Sequence, residues 1–349
     1  MKKLKELSSK QIFWPLVIFF VILAINGVVS GGSFFEIKIV DNHLYGYLVD
    51  IFRNGSKLMI LAIGMTMVLA TGGTDISVGS VMAISGSIAC SVVDGRILPG
   101  LGGNVVIAII LALVAGIICG AWNGFLVSKI KVQPIVATMI LMVAGRGIAQ
   151  LIADGKIVTI GLKPEFLSQA NAYYFISGGY ILGLPFPLFI VAFFLLAALF
   201  LTRRTAFGMF VEAVGVNDKS SRFSGIRVDL LKMIIFTISG MMAAIAGMIE
   251  SAGIKAADCN NCGLMIEMDG ILAVAIGGTS LFGGRFSIAS SVVGALIIQS
   301  ITTSLLAMGV VPQAIQVVKA LVVIVICLAQ SNDFKESVLS KFKRKAVVS

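Results

Sequence analysis

From residue 105 to residue 127 the chain reads VVIAIILALVAGIICGAWNGFLV, without one charged side chain. That single run constrains the fold more than anything else in the sequence. Crossing the roughly 30 Å hydrocarbon core of a bilayer takes about 20 consecutive apolar residues in a helix. Lipid offers the backbone no hydrogen bonds, so such a segment must satisfy its own amides and carbonyls as a helix.

Nine further stretches read the same way. The ten candidate spans are about 12–30, 56–72, 77–93, 104–127, 134–153, 181–201, 231–251, 267–280, 287–308 and 313–330. The second, third and eighth are short or broken by glycine, which leaves re-entrant or discontinuous helices open there. The amino-terminal segment, MKKLKELSSK followed by an apolar run, lacks a small-x-small cleavage site and reads as an uncleaved first span. The expected fold is an all-α polytopic membrane protein of about ten transmembrane helices. It forms one unit over 1–349, with tails at 1–11 and 331–349 and a polar loop at 202–230. Only 13% of residues are charged, against about 25% in soluble domains.

The charge of +10 finds its explanation in topology. With the amino terminus in the cytoplasm and ten alternating helices, 18 of the 27 basic residues fall on the cytoplasmic side. That excess is the positive-inside pattern, so both termini are read as cytoplasmic and no nucleic-acid partner is required. The one histidine, His43, and five scattered cysteines offer no metal site or catalytic triad. Cys259 and Cys262, in CNNC, face the oxidising side in this topology, where a disulfide is open to them.

Small residues recur every four positions at Gly79, Ala83, Ser87 and Ser91, and again at Ala112, Gly116, Gly120 and Gly124. This spacing lets helices approach closely in lipid. Against that background the polar residues inside spans stand out, because each is costly there. Arg146, between two glycines, either lines a polar pathway, braces a broken helix through carbonyl contacts, or snorkels and pairs for structure alone. Asn123 and Gln299 are further pathway candidates. Lys319 reads as paired or snorkelling, and Glu267 and Asp269 as a helix end or the mouth of a pathway. Asp75, in TGGTDISVGS, sits between two apolar segments. It reads chiefly as a cap whose carboxylate accepts the amides of residues 77 and 78, and as a pathway residue if its span is re-entrant. The GGT at 72–74 recurs at 277–279, and Gly79 recurs as Gly284, at the same offset of 205 positions. The repeat suggests related halves.

The loop TRRTAFGMFVEAVGVNDKSSRFSGIRVDLLK is too polar and too long for a simple connector. Asp218, Ser220 and Ser221 suit the start of a short helix, and Gly225 its end. Ala213-Val-Gly215-Val-Asn217 followed by Ser224-Gly225-Ile226 resembles the ATPase-coupling loop of ribose-type sugar ABC importer permeases, although Ser220-Ser221 stand where that family usually has alanines. GGTDISVGS, Asn123-Gly124, Arg146-Gly147 and AVAIGGTSLFGGRFS resemble other signatures of the same family. PIVATMILMVAGRGIAQLI, TAFGMFVEAVG and ILAVAIGGTSLFGGRF are closest to its galactofuranose-type members. The resemblance runs in order over most of the chain.

That resemblance implies a bacterial inner-membrane permease subunit importing a monosaccharide. Its partners would be ATP-binding cassette subunits, a second permease copy or paralogue, and an extracytoplasmic sugar-binding protein. Glu212, Ala213, Gly215, Asn217, Ser224 and Gly225 would meet the ATPase. The sequence has no GxxxxGK[ST] phosphate loop, so ATP hydrolysis would belong to the partners, and no cofactor or metal is expected. Other readings are an ABC permease for nucleosides or branched-chain amino acids, and a stand-alone secondary transporter.

Overall fold

The computed structural model describes residues 11–330 apart from 31, 41, 42 and 98–102. The tail at 331–349 and residues 1–10 of the amino-terminal tail lie outside the described residues. Each of the ten expected spans is a helix: α1 (Phe13–Val29), α2 (Tyr47–Ala70), α3 (Val78–Val93), α4 (Val105–Ser128), α5 (Pro134–Ile152), α7 (Phe186–Arg204), α10 (Val228–Ile254), α11 (Ile266–Ile276), α12 (Ile288–Ala307) and α13 (Pro312–Gln330). Three helices lie between spans: α6 (Leu167–Gly178), α8 (Ala206–Val216) and α9 (Asp218–Phe223). Among the described residues there are also two short 3-10 helices, Ser33–Phe35 and Pro164–Phe166, and three two-stranded antiparallel ribbons: Lys38–Val40 with His43–Tyr45, Val158–Thr159 with Ala256–Ala257, and Tyr180–Ile181 with Leu184–Pro185.

The helix ends follow local chemistry. Asn104 caps α4 by accepting the amide of Val106 at 2.9 Å. α5 starts on Pro134, at the helix position where a missing N–H costs nothing. Two expectations need correction. α2 begins at Tyr47, nine residues before the expected start, so the second span is long rather than short. The loop before α7 holds the helix α6, whose apolar residues show no clear face and give the sequence no helical signal.

Burial sorts the bundle into two layers. α3 and the second half of α2 are buried all round, and α10 and α12 nearly so. α1, α4, α5 and α7 surround them and leave apolar side chains outside: Phe193, Leu196 and Phe200 on α7 are each 66% exposed. A water-soluble protein rarely exposes apolar surface on this scale, and lipid is the solvent that such helices suit. Buried helices can be short: α3, with 16 residues, reaches only about 24 Å at 1.5 Å per residue.

The glycine spacing in α4 is used where α4 crosses α10. A methyl built on Gly116 would stand 2.5 Å from the Ala244 Cβ and 2.7 Å from the Gly240 carbonyl oxygen, and one on Gly120 would overlap the Phe236 carbonyl. One on Gly124 would lie 2.8 Å from the Met233 Cα. The two backbones touch, as small-residue interfaces in lipid allow.

The polar ends of the helices gather into two groups. Asp94 and Lys163, Lys57 and Glu250, and the Val158–Thr159 ribbon with Ala256–Ala257 lie at one end. Lys131 with Asp229, Arg222 with Asp229, and Lys232 with Asp218 lie at the other, together with α8 and α9.

Candidate functional site

Two breaks in the helical bundle lie at the α8–α9 end and meet there. The first is the linker 71–77 between α2 and α3. The second is 277–287 between α11 and α12. Gly284 donates its amide to the Ala70 carbonyl at 2.9 Å, and a methyl on Gly283 would stand 3.0 Å from the Gly72 nitrogen. The GGT copies adopt different backbones: the left-handed glycine is Gly72 in the first (φ +74°) and Gly278, the second of its pair, in the second (φ +79°). The repeat therefore places two breaks against each other without making them identical.

Gly215, near the end of α8, fits between these breaks. A methyl on it would overlap both the Ala70 carbonyl oxygen and the Gly284 nitrogen, and a methyl on Gly283 would come 2.7 Å from the Gly215 carbonyl oxygen. The surface loop thus touches the two helix breaks backbone to backbone at Gly215, with the Val216 side chain beside Gly284. Glycine–glycine contacts of this kind transmit displacement directly, because close-packed interiors yield little.

Around Gly215 the loop is rigidly built. Asn217 caps α9 by accepting the Ser220 amide at 3.0 Å. Gly225 is left-handed at φ +83°, and the bonds from Gly225 to Arg222 and from Ile226 to Ser221 close α9 in the Schellman pattern. Arg222 grips Asp229 with both terminal guanidinium nitrogens, and Lys131 from the α4–α5 loop joins the same carboxylate. Ser221, one of the serines standing where alanine is usual, donates its hydroxyl back to the Asn217 carbonyl at 2.9 Å.

The expected loop residues divide by side. Ala213, Asn217 and Ser224 line an open groove of ≈ 530 Å³ with Met209, Phe210 and Val216. Glu212 lines a separate cleft of ≈ 300 Å³ beside Arg203 and Phe286. Gly215 faces inward, and Gly225 ends the helix.

The four polar candidates separate into three places. Asp75 and Asn123 belong to one network. Asp75 is 1% exposed; its Oδ1 accepts the Ser77 amide at 3.1 Å and the Ser77 hydroxyl at 2.7 Å, and its Oδ2 accepts the Ser239 hydroxyl at 2.8 Å. Asn123 donates to the Ser77 hydroxyl at 2.8 Å. The cap expectation needs correcting: Ser77 holds the N-cap position of α3 and no side chain caps that helix, while Asp75, two residues earlier, folds the linker onto Ser77 and reaches Ser239 on α10. The carboxylate ties the break to a neighbouring helix as well as to its own. Thr138 adds a bond from α5, accepting the Ile76 amide at 3.3 Å. Non-helical backbone inside a membrane bundle is tolerated where protein buries it and satisfies its polar groups, and the amides of Thr71, Gly72, Gly73, Ile76 and Ser77 all find acceptors within the protein. Ser77, Thr138 and Ser239 were missed in the sequence because a serine or threonine among apolar residues carries no distinguishing local signal.

Arg146 stands toward the other end. It donates to the carbonyls of Cys259 at 3.2 Å and Cys262 at 2.5 Å, so it braces the loop after α10. Gln150, one turn on, reaches Asn260 at 2.7 Å. Asp258 folds the same loop by accepting from Asn260 and Asn261. The Asn261 side-chain bond, foremost among these, holds its carboxyl below the usual carboxylate range. Cys259 and Cys262 are buried free thiols. Gln299, the fourth candidate, bonds Thr303 at 3.1 Å within α12.

Apolar helices exposed to lipid, wrapped around buried broken helices with a structured loop seated on the breaks, define a polytopic membrane protein. A profile of the family described as "Branched-chain amino acid transport system / permease component" matches residues 47–328. The chain belongs to this permease family. It is 45% identical over 332 residues to the galactofuranose transporter permease protein of Escherichia coli (strain K12), covering 93% of each chain. It is 36% identical over 343 residues to the fructose import permease protein of Bifidobacterium longum (strain NCC 2705), covering 98% of this chain and 93% of that one. The ribose import permease protein of Escherichia coli (strain K12) is 34% identical over 317 residues, covering 91% of this chain and 92% of that one. No solved structure matches.

Proposed function

We propose that the chain is the membrane-spanning subunit of an ATP-driven importer for a monosaccharide in the bacterial inner membrane. An extracytoplasmic binding protein delivers the sugar, and ATP-binding subunits power the cycle against α8 and α9. The contact of Gly215 with both helix breaks carries this reading. A partner that pushes α8 moves the ends of α2, α3, α11 and α12 together, which is the rocking that alternating access requires. The groove beside it is lined by apolar Met209, Phe210 and Val216, with Met209 and Val216 63% and 77% exposed, and it suits a protein partner better than water. Asp75, Asn123, Arg146 and Gln299 then act as helix-break and pathway residues of the bundle. The similar sugar permeases named above support a sugar cargo, and the family description keeps a branched-chain amino acid as the competing cargo.

Ala213→Arg, which fills the groove, tests the reading in the importer assembled with its ATPase subunits. The expected result is a loss of ATP-driven sugar uptake of at least about tenfold, as for a residue central to an interface, at unchanged membrane level. Full uptake by this variant, or by a chain lacking 208–226, would overturn it.

A further inference from the structure

At the end opposite α8 and α9, a cavity of ≈ 200 Å³ opens between α2, α10, α11, α12 and α13. Two ion pairs stand in its wall. Lys57 lies 3.6 Å from Glu250, and Lys319 lies 2.7 Å from Asp269. All four residues belong to helices of the bundle, and each pair joins two of them with its charges partly shielded from solvent. Lys319 is thus paired, as expected, but it is paired at a cavity.

The wall retains unused hydrogen-bonding capacity. The Lys57–Glu250 separation is too long for a hydrogen bond, and Glu250 Oε2 is buried with no hydrogen-bond partner. An ammonium has three donors and a carboxylate accepts on both oxygens, so neither pair is saturated. Rotation about the last torsion of Glu250, which is broad for this side chain, exchanges its two oxygens. Gln299, Asn261 and Thr302 add amide and hydroxyl groups to the wall. Leu58, Ile266 and Ile298 supply an apolar side. The floor toward the loop is set by Arg146, whose hold on the Cys259 and Cys262 carbonyls positions Asn261 and Gly263.

Charge and size narrow the occupant. The two lysines and two carboxylates cancel, so the wall attracts neither an anion nor a cation. Hydroxyl groups each donate one bond and accept others, which matches a wall of mixed donors and acceptors, and bonds to charged partners are the stronger ones. The apolar side suits the C–H face of a sugar ring. The volume lies below the roughly 300–1,000 Å³ of pockets for drug-sized ligands, as a single small ring requires.

We propose that this cavity is a solute subsite of the permease, built for one neutral polyhydroxylated molecule of monosaccharide size, with Glu250, Lys57, Asp269, Lys319 and Gln299 as its polar contacts. The proposal rests on the sugar-permease reading above. The test uses the assembled importer in proteoliposomes, with D-ribose, D-fructose, D-galactose and L-leucine as probes. The wild type takes up at least one of the sugars and not leucine. At subsaturating concentration Glu250→Gln lowers uptake of that sugar by about tenfold, as loss of one charge-assisted bond predicts, and Gln299→Leu lowers it by about fivefold, as loss of one neutral bond predicts. Thr302→Cys, which keeps the rest of the wall, is modified by a membrane-impermeant thiol reagent, and the transported sugar slows that modification during turnover. A wild type that transports sugar while both variants match it, with no protection at residue 302, overturns the subsite and leaves the functional reading standing. A wild type that transports leucine and none of the sugars overturns the functional reading itself.

Discussion

Asp75 shows what a buried carboxyl can do inside a membrane bundle when both its oxygens are bonded. Its carboxylate accepts three hydrogen bonds, two from Ser77 and one from Ser239, so two helices and a linker depend on one side chain. Asparagine retains an oxygen for Ser77, and the Ser239 hydroxyl can reverse its role and accept from the new amide. Leucine leaves the Ser77 amide and the O–H donors of Ser77 and Ser239 without their acceptor, at about 1–3 kcal/mol for each buried group left unsatisfied. Asp75→Asn is therefore expected to keep near-normal uptake and thermal stability, whereas Asp75→Leu lowers the unfolding midpoint of the detergent-purified protein sharply. If Asp75→Asn abolishes uptake in a stably inserted chain, the carboxylate's charge itself takes part in transport. The sequence showed that Asp75 was unusual and paired it with Ser77. It had no means of showing Ser239, which lies 164 positions away, because a serine's partner is decided by which helices cross.

At the scale of the helix, glycine has two separate uses here, and they predict different costs. Gly225 is needed for its backbone alone: φ is +83° and nothing lies within 4 Å of the position a methyl would take. Gly225→Ala should cost about 1 kcal/mol, the ordinary penalty for alanine in a left-handed position. Gly120 has helical geometry but no room, because its methyl would overlap the Phe236 carbonyl and stand 2.9 Å from the Thr237 Cα. Relief requires α4 and α10 to move apart along their whole crossing, so Gly120→Ala should lower the thermal midpoint much more than Gly225→Ala. Equal effects would show that the α4–α10 contact contributes little to stability. The periodic glycines were legible in the sequence as a packing stripe. The helix they meet was not, since spacing identifies a face and leaves its partner open.

For the molecule as a whole, function depends on its two ends being different. α10, with 27 residues, runs about 40 Å at 1.5 Å per residue from the ion pairs around Asp229 to the loop braced by Arg146. Ser224 lies by its start and Asn260 just beyond its end. The positive-inside pattern assigns the first to the cytoplasm. In intact cells, Asn260→Cys is expected to react with an impermeant maleimide, and Ser224→Cys only after permeabilisation, each read as labelling above the parent chain. Labelling in the opposite sense would invert the topology, and with it the placing of the ATPase at α8 and α9.

The sequence by itself determined the all-helical polytopic class, the membrane as solvent, the polar loop with its short helix, and the family. These follow from local properties: apolar length, charge placement and residue order. Only the tertiary structure decided that two glycine breaks meet, that Gly215 lies between them, and that Arg146 and Gln299 belong to the opposite end from Asp75 and Asn123. Those facts rest on contacts between residues far apart in the chain, and in a bundle of uniformly apolar helices the local pattern does not specify which faces touch. Close packing of small residues makes that choice, and it exists only once the helices are assembled.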